Sequence, residues 1–274
     1  MNKLSRLSLL TALALGASPA FAVHPECDHP SMPSYDAVNT ALRNIVVKSN
    51  PSAASNGGLD FNMWATVVST DRTVCVVAKS GDSLNAQWLG SRAIAAQKAN
   101  TAISFSTPDF ALSTANLWAA TQPGGSLYGL QFSNPVDPSV IYKISDEGVA
   151  AFGSTSDPLV GQIVGGINVF GGGLALYDAS GTLIGALGVS GDTSCADHNI
   201  AWKLRDALGL DFVPAGVNST PGIEDNIIYD ISNTWTVDNM LLNINASPSG
   251  FGHPDCGKGE RAIAEQFSTT NPTR

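Results

Sequence analysis

The chain has 274 residues with 14 Lys and Arg against 23 Asp and Glu, a formal net charge of −9. So acidic a balance speaks against nucleic acid or an anionic membrane surface as partner. Only 14% of the residues are charged, against about 25% in an ordinary globular domain, so much of the surface must be neutral, which suits burial in a homo-oligomer.

Lys3 and Arg6 precede an apolar run over 7–16 and then Ala20-Phe21-Ala22, the pattern of a secretory signal peptide over 1–22. The mature chain is then expected to start at Val23, to carry a net charge of −11, and to be periplasmic or secreted. The run is far short of the roughly 20 residues a membrane span requires, and no later stretch supplies one. Next comes VHPECDHP, residues 23–30, with His24, Cys27 and His29; its His-Pro-acid-Cys word recurs near the other end as His253-Pro254-Asp255-Cys256.

Over 35–48 apolar residues fall at Tyr35, Val38, Leu42, Ile45 and Val46, the spacing of a helix lying on a core. Residues 63–81 contain two β-rich runs around Thr70-Asp71-Arg72, read as a hairpin, with Cys75 in its second strand. Over 91–105, Ile94, Ala95, Ala99, Ala102 and Phe105 give a second helix that Pro108 ends. The stretch 107–166 is rich in Gly, Pro, Ser and Asn and reads as a long loop insertion, a common location for binding residues. Two more β-runs, 174–177 and 182–189, are joined by the turn Asp178-Ala179-Ser180-Gly181.

A third helix follows, with Ser194 placed to cap its start and Asp197 to cap back. Its apolar stripe is Ile200, Ala201, Leu204, Ala207 and Leu208. His198 falls off that stripe, which predicts a solvated or flanking histidine, or one that faces a pocket or a neighbouring subunit as ligand or proton carrier. Residues 213–274 read as an extended C-terminal arm with one strand-like piece, NTWTVDNMLLNI.

Cys27, Cys75, Cys195 and Cys256 in a chain bound for an oxidising compartment point to disulfides. Four cysteines allow three pairings, and the matched words make Cys27 to Cys256 the expected bridge, tying the two ends of the mature chain together. The rival reading is a metal site drawn from His24, Cys27, His29, His253 and Cys256, since imidazole and thiolate are the usual ligands of borderline metals.

The run SRAIAAQKANTAISF, with Ser91, Ala95, Lys98, Ala99, Thr101 and Ala102, together with GALGVSG and its preceding turn, with Gly181, Gly185, Gly188, Ser190, Gly191 and then Asp197, resembles the GlcG/HbpS family over about 60–210. The resemblance implies an α/β fold with a central, largely antiparallel sheet flanked by helices, here occupying 23–212 and carrying extended N- and C-terminal arms. It further implies homo-oligomers and, for some members, haem binding, including secreted members that sense haem or redox stress for a membrane kinase. The chain departs from the family pattern at Ala78-Lys79 and at Gln87-Trp88-Leu89, and both tails are additions.

Gly185 and Gly188 in a β-run mark a bend or the close approach of another backbone or a ligand. The turn GVSG ahead of a helix offers backbone N–H groups to an anion such as a haem propionate, and equally serves as a tight packing turn. Three functional readings result. The first is a haem-binding protein whose axial ligand comes from His198, His24, His29 and His253, with Asp197, Ser190, Gly191, Lys98 and Thr101 around the ligand. The second is a protein acting on a small organic acid, with Lys98 or Arg92 pairing the carboxylate. The third is a structural module whose tails interlock subunits. No motif for hydrolysis, nucleotide binding, zinc-protease chemistry or covalent haem attachment occurs, so no catalytic residue is named.

Overall fold

The computed structural model describes residues 25–46, 56–232, 237–238, 241–242 and 246–269; the expected signal peptide and His24 lie outside them. Four antiparallel strands form the central sheet: β1 (Trp64–Ser69), β2 (Val74–Lys79), β3 (Gly173–Tyr177) and β4 (Leu183–Ser190), in the order β2-β1-β4-β3. Both hairpins foreseen from the turn residues are present. Asp71 Oδ1 accepts the Thr73 N–H (2.9 Å) in one, and Asp178 Oδ1 accepts the Ser180 N–H (2.9 Å) in the other, where Gly181 takes a positive φ of 75°.

The two-residue side-chain period splits the strands between two cores. Ala65, Val67, Val76, Leu174, Leu176, Leu187 and Val189 face one side, where they meet α1 (Tyr35–Ile45) and Ile200, Ala201, Trp202 and Leu204 of the later helix. Trp64, Val68, Val74, Val77 and Ala186 face the other, under α2 (Ser91–Ser104) with its Ala95, Ala99 and Ala102. All six residues of β1 are buried, as expected of a strand covered on both faces.

Gly188 lets α2 come down onto β4: a Cβ there would lie 2.0 Å from the Ala95 carbonyl oxygen. Close backbone packing, not a ligand, is the reason for that glycine. Gly191 is the same case, since a Cβ would meet the Asn62 carbonyl oxygen at 2.6 Å and Met63.

The insertion over 107–166 holds two one-turn helices, α3 (Leu130–Ser133) and α4 (Pro138–Ile141). It lends Ile141, Phe152, Leu159 and Val164 to the core beneath α2. It also pairs with the edge strand, Val74 N–H donating to the Gln162 carbonyl (2.9 Å) and Gly161 N–H to that of Val74 (2.8 Å). Arg92 of α2 ion-pairs with Asp157 of the insertion, both buried.

After β4 comes α5 (Ser194–Ala207), the third foreseen helix. The arm beyond it crosses back over α5 and ends in α6 (Glu260–Ala264). The strand-like piece in the arm is described only at β5 (Val237–Asp238) and β6 (Leu241–Leu242), which pair antiparallel. No helix among the described residues is long and apolar enough to cross a membrane.

The disulfides correct the expected pairing: Cys27 bonds Cys75, and Cys195 bonds Cys256. The direction of the sheet explains it. Cys75 lies beside the 70–73 turn, while Cys195 follows the far end of β4, where Ser190 pairs with Trp64. The length of β1, roughly 17 Å at ~3.4 Å per residue, separates the two ends, so each His-Pro-acid-Cys word is fastened to a different end of the core and the two never meet.

Candidate functional site: the head of α5 and the N-terminal cleft

Helix α5 starts on a cap, but Ser194 is not that cap. Thr193 takes the extended N-cap conformation and its Oγ1 accepts the Ala196 N–H (3.3 Å). Asp197 reaches back to accept the Asp192 N–H (2.9 Å) through Oδ1, while its Oδ2 pairs with Lys98 Nζ from α2 at 2.6 Å. Lys98 Nζ also donates to the Val189 carbonyl (3.1 Å). The pair is sealed inside the protein. Burial pushes the Asp197 carboxyl up to about 6 against the pull of Lys98, and burial holds the Lys98 ammonium below its usual range.

The other residues expected around a ligand are equally committed. Thr101 Oγ1 donates to the Gln97 carbonyl (2.7 Å) and accepts the Asn168 N–H (2.9 Å). Ser190 is buried at the end of the sheet, and the space beside Gly191 is filled by chain. The structure thus places Lys98, Asp197, Ser190 and Gly191 where α2, β4 and α5 meet, with the three side chains buried among the described residues. Arg92 and Lys98, the two cations available to an organic acid, both spend their charge on internal carboxylates.

His198 is 0% exposed, which corrects the expectation of a solvated or pocket-facing ring. Its place off the apolar stripe is as foreseen, but the arm covers that flank. Nε2 accepts the Ile227 N–H (3.1 Å) next to Asn226 Oδ1 (3.1 Å), and Nδ1 has no hydrogen-bond partner among the described residues. Enclosure lowers its pKa to about 3, so the ring is neutral. His253, on the arm, is 1% exposed. Its Nδ1–H donates to the Pro254 carbonyl (2.8 Å), its Nε2 accepts from Ser194 Oγ (2.8 Å), and burial lowers its pKa to about 4. The Ser194 and His253 contact joins residues 59 positions apart, and no local sequence signal announces it.

His29 is placed differently. It is half-buried and lines a cleft of about 210 Å³ with Glu26, Asp28, Thr70, Thr182, Leu183 and Ile184, at the end of the sheet where Cys27 pins the N-terminal segment to β2. Its Nδ1 accepts the Ser31 N–H (3.2 Å), while Ser31 Oγ donates to Asp178 Oδ2 (3.0 Å) in the β3–β4 turn.

These environments can be tested against haem. A porphyrin iron needs an accessible nitrogen lone pair and room for a flat macrocycle. His198 and His253 fail on access, since each is walled in by protein. His29 meets the first requirement: its Nε2 would be free to ligate once its proton passed to Nδ1, at the loss of one partly solvated hydrogen bond, a cost of about 1 kcal/mol. Its cleft of about 210 Å³ is too small to enclose a macrocycle, which would have to lie on the surface.

Comparison with known proteins bears on the same question. The family model described as haem degrading protein HbpS-like matches residues 52–205. No curated protein matches the chain. Among solved structures, Klebsiella pneumoniae protein ORFY is 22% identical over 64% of this chain and 90% of that one, with a TM-score of 0.41. A haem complex of PduOC is 23% identical over 64% of this chain and 91% of that one, with a TM-score of 0.42. The matched segment of the family model runs through the whole four-stranded sheet, α2 and nearly all of α5, and the chain belongs to the HbpS-like family.

Proposed function

We propose that this protein binds haem at its surface, with His29 as axial ligand, in an oxidising compartment outside the cytoplasm. The observation that carries the reading is the sorting of the histidines within an HbpS-like chain. Among the described residues, His29 alone presents a ring that is both accessible and free to give up its single weak contact. Leu183 and Ile184 supply apolar wall, and Glu26 and Asp28 supply negative charge beside a ferric iron. Bound haem would contribute an iron with an open coordination position. The protein's part is to hold the imidazole in place, which the Cys27 to Cys75 bond and the Ser31 contact to Asp178 accomplish.

Two further observations support the setting. Both disulfides favour an oxidising compartment. The exposed large apolar side chains concentrate in the insertion, with Tyr128, Phe132, Tyr142, Ile144, Val149 and Ile163 all on the surface, as an oligomer interface would have them.

Haem titration followed by absorbance tests the proposal. Wild type is expected to give a Soret shift saturating at one haem per chain, and His29→Ala to lose it. Weak, unsaturable binding by wild type overturns haem binding, while an unchanged Soret shift in His29→Ala overturns His29 as ligand.

A further inference from the structure

The bond between Cys195 and Cys256 sits in unusual company. Among the described residues, Cys195, Cys256 and Glu260 are a group of ligating side chains whose donor atoms all lie within 4.8 Å of one another. His253 Nδ1 lies 3.9 Å from Cys195 Sγ, close to the separation of two donors on a tetrahedral ion with metal–nitrogen and metal–sulfur bonds of about 2.1 and 2.3 Å. A disulfide requires neither an imidazole nor a carboxylate beside it. Cys195, His253 and Glu260 are all buried and Cys256 is half-buried, so the cluster is walled by protein with one side toward solvent.

We propose that reduction of the Cys195 to Cys256 bond converts this cluster into a site for a divalent borderline metal ion of the zinc class, held by the two thiolates, His253 Nδ1 and the Glu260 carboxylate. The conversion balances. A dithiol reductant gives two electrons and two protons to the S–S bond and becomes a disulfide itself. The two cysteine thiols then lose their protons to solvent as the ion binds. The His253 proton leaves Nδ1 and an equivalent one is taken up at Nε2, which then donates to Ser194 Oγ, so the hydroxyl that now donates to this ring becomes its acceptor. A second ring nitrogen so held is the usual outer support of a metal-bound histidine.

The backbone suits both states. Cys195 and Cys256 have Cα atoms 6.1 Å apart, so the sulfurs can separate to flank an ion by side-chain rotation. Glu260 is already fixed, its Oε1 accepting N–H groups from Cys256 and Gly257 (3.0 Å) and its Oε2 that of Lys258 (2.7 Å), which leaves Oε2 a further lone pair for a cation. A disulfide oxidant, taking two electrons from the Cys195 and Cys256 thiolates and two protons from solvent to become a dithiol, closes the bond again and expels the ion, which makes metal occupancy and disulfide mutually exclusive. This reading is independent of haem binding at His29.

The test uses the full protein with Cys27→Ser and Cys75→Ser, so that any thiolate signal belongs to Cys195 and Cys256, reduced with a phosphine and titrated with Co²⁺. Expected are one Co²⁺ per chain, a thiolate-to-metal absorption band absent from the oxidised protein, loss of that band in Cys256→Ser, and at least tenfold weaker binding in His253→Gln. A fully reduced protein of native circular dichroism that shows no thiolate band overturns the proposal, and binding undiminished in His253→Gln overturns the ligand set. Where reduction unfolds the chain, Co²⁺ must restore native circular dichroism together with the band; failure to do so also overturns it.

Discussion

In β4 every side chain from Ile184 to Ser190 is buried between two apolar layers, whereas the described part of the arm, over 213–269, buries only Val213, Ile227 and Ala264 among its hydrophobic residues. The arm instead buries Asp225, Asn226, His253, Glu260 and Thr269. The sheet is held by many interchangeable contacts, and the arm by a few that each require one particular partner. Asp225 takes a bidentate grip from Arg205 (2.6 and 2.8 Å), Asn226 meets His198 and Asn116, and Cys256 is bonded to Cys195. A core of the first kind degrades gradually when one group is removed; an attachment of the second kind fails at a point.

The largest single loss is expected at Arg205. It is fully buried, lies 4.5 Å over the Trp202 ring, and neutralises a fully buried Asp225. Arg205→Ala leaves that carboxylate uncompensated and should cost about 3–5 kcal/mol in denaturant unfolding. The double change Arg205→Met with Asp225→Leu should recover most of this, because a buried pair contributes little net stability over an apolar pair of like volume. Failure of the double change to recover would mean that the charges do more than fasten the arm.

Removing Cys195 and Cys256 together, both to Ser, should cost roughly 2–4 kcal/mol. The readout that separates arm from sheet is protease nicking. Cuts should appear between 213 and 269 while amide protection in β1 and β4 persists. A single cooperative transition without new cuts would show the arm to be part of the same folding unit.

A pH series isolates the histidine under the arm. The folded pKa of His198 is lowered to about 3 from an ordinary 6.5, so the unfolded chain binds the extra proton. Its contribution to stability is present above pH 6.5 and is lost as pH falls toward 3, by about 1 kcal/mol per pH unit. His253, lowered to about 4, acts with the same sign, while Asp197, raised to about 6, acts oppositely over pH 4 to 6. The comparison is therefore between variants: His198→Gln should show a shallower fall in unfolding free energy between pH 6.5 and 4.5 than wild type. Equal slopes would place His198 in contact with water.

What the sequence discloses follows the same division. The strands and α1, α2 and α5 repeat an apolar signal at period 2 or 3.6, and the turns carry residues chosen by backbone geometry, so the sheet and its helices were legible. The insertion was not, because Ile141, Phe152, Leu159 and Val164 reach the core as separate anchors without a period. His198 was read correctly as lying off the apolar stripe and incorrectly as open, since what covers it is Asn226 and Ile227, 28 and 29 residues away. The disulfide pairing was hidden for a similar reason: two words of the same pattern say nothing of the distance between them, and strand direction decides it. Lys98 and Asp197 were singled out together, but chemistry at a ligand and chemistry inside a core use the same residues, and only burial tells them apart.

The smallest effect concerns the point where core and arm meet. Ser194 and Thr193 are both able to cap a helix, and the chain uses Thr193 for the cap while Ser194 points to His253. Thr193→Ala should therefore cost about 1 kcal/mol, the usual worth of an N-cap, and lower protection along the first turn of α5. Ser194→Ala should leave that turn protected, since the first-turn N–H groups keep their acceptor, and should cost about 0.5–1 kcal/mol through loss of its bond to the His253 ring. Amide exchange at Ala196 distinguishes the two: faster exchange in Ser194→Ala than in Thr193→Ala would return the cap to Ser194 and release His253 from its only side-chain hydroxyl partner among the described residues.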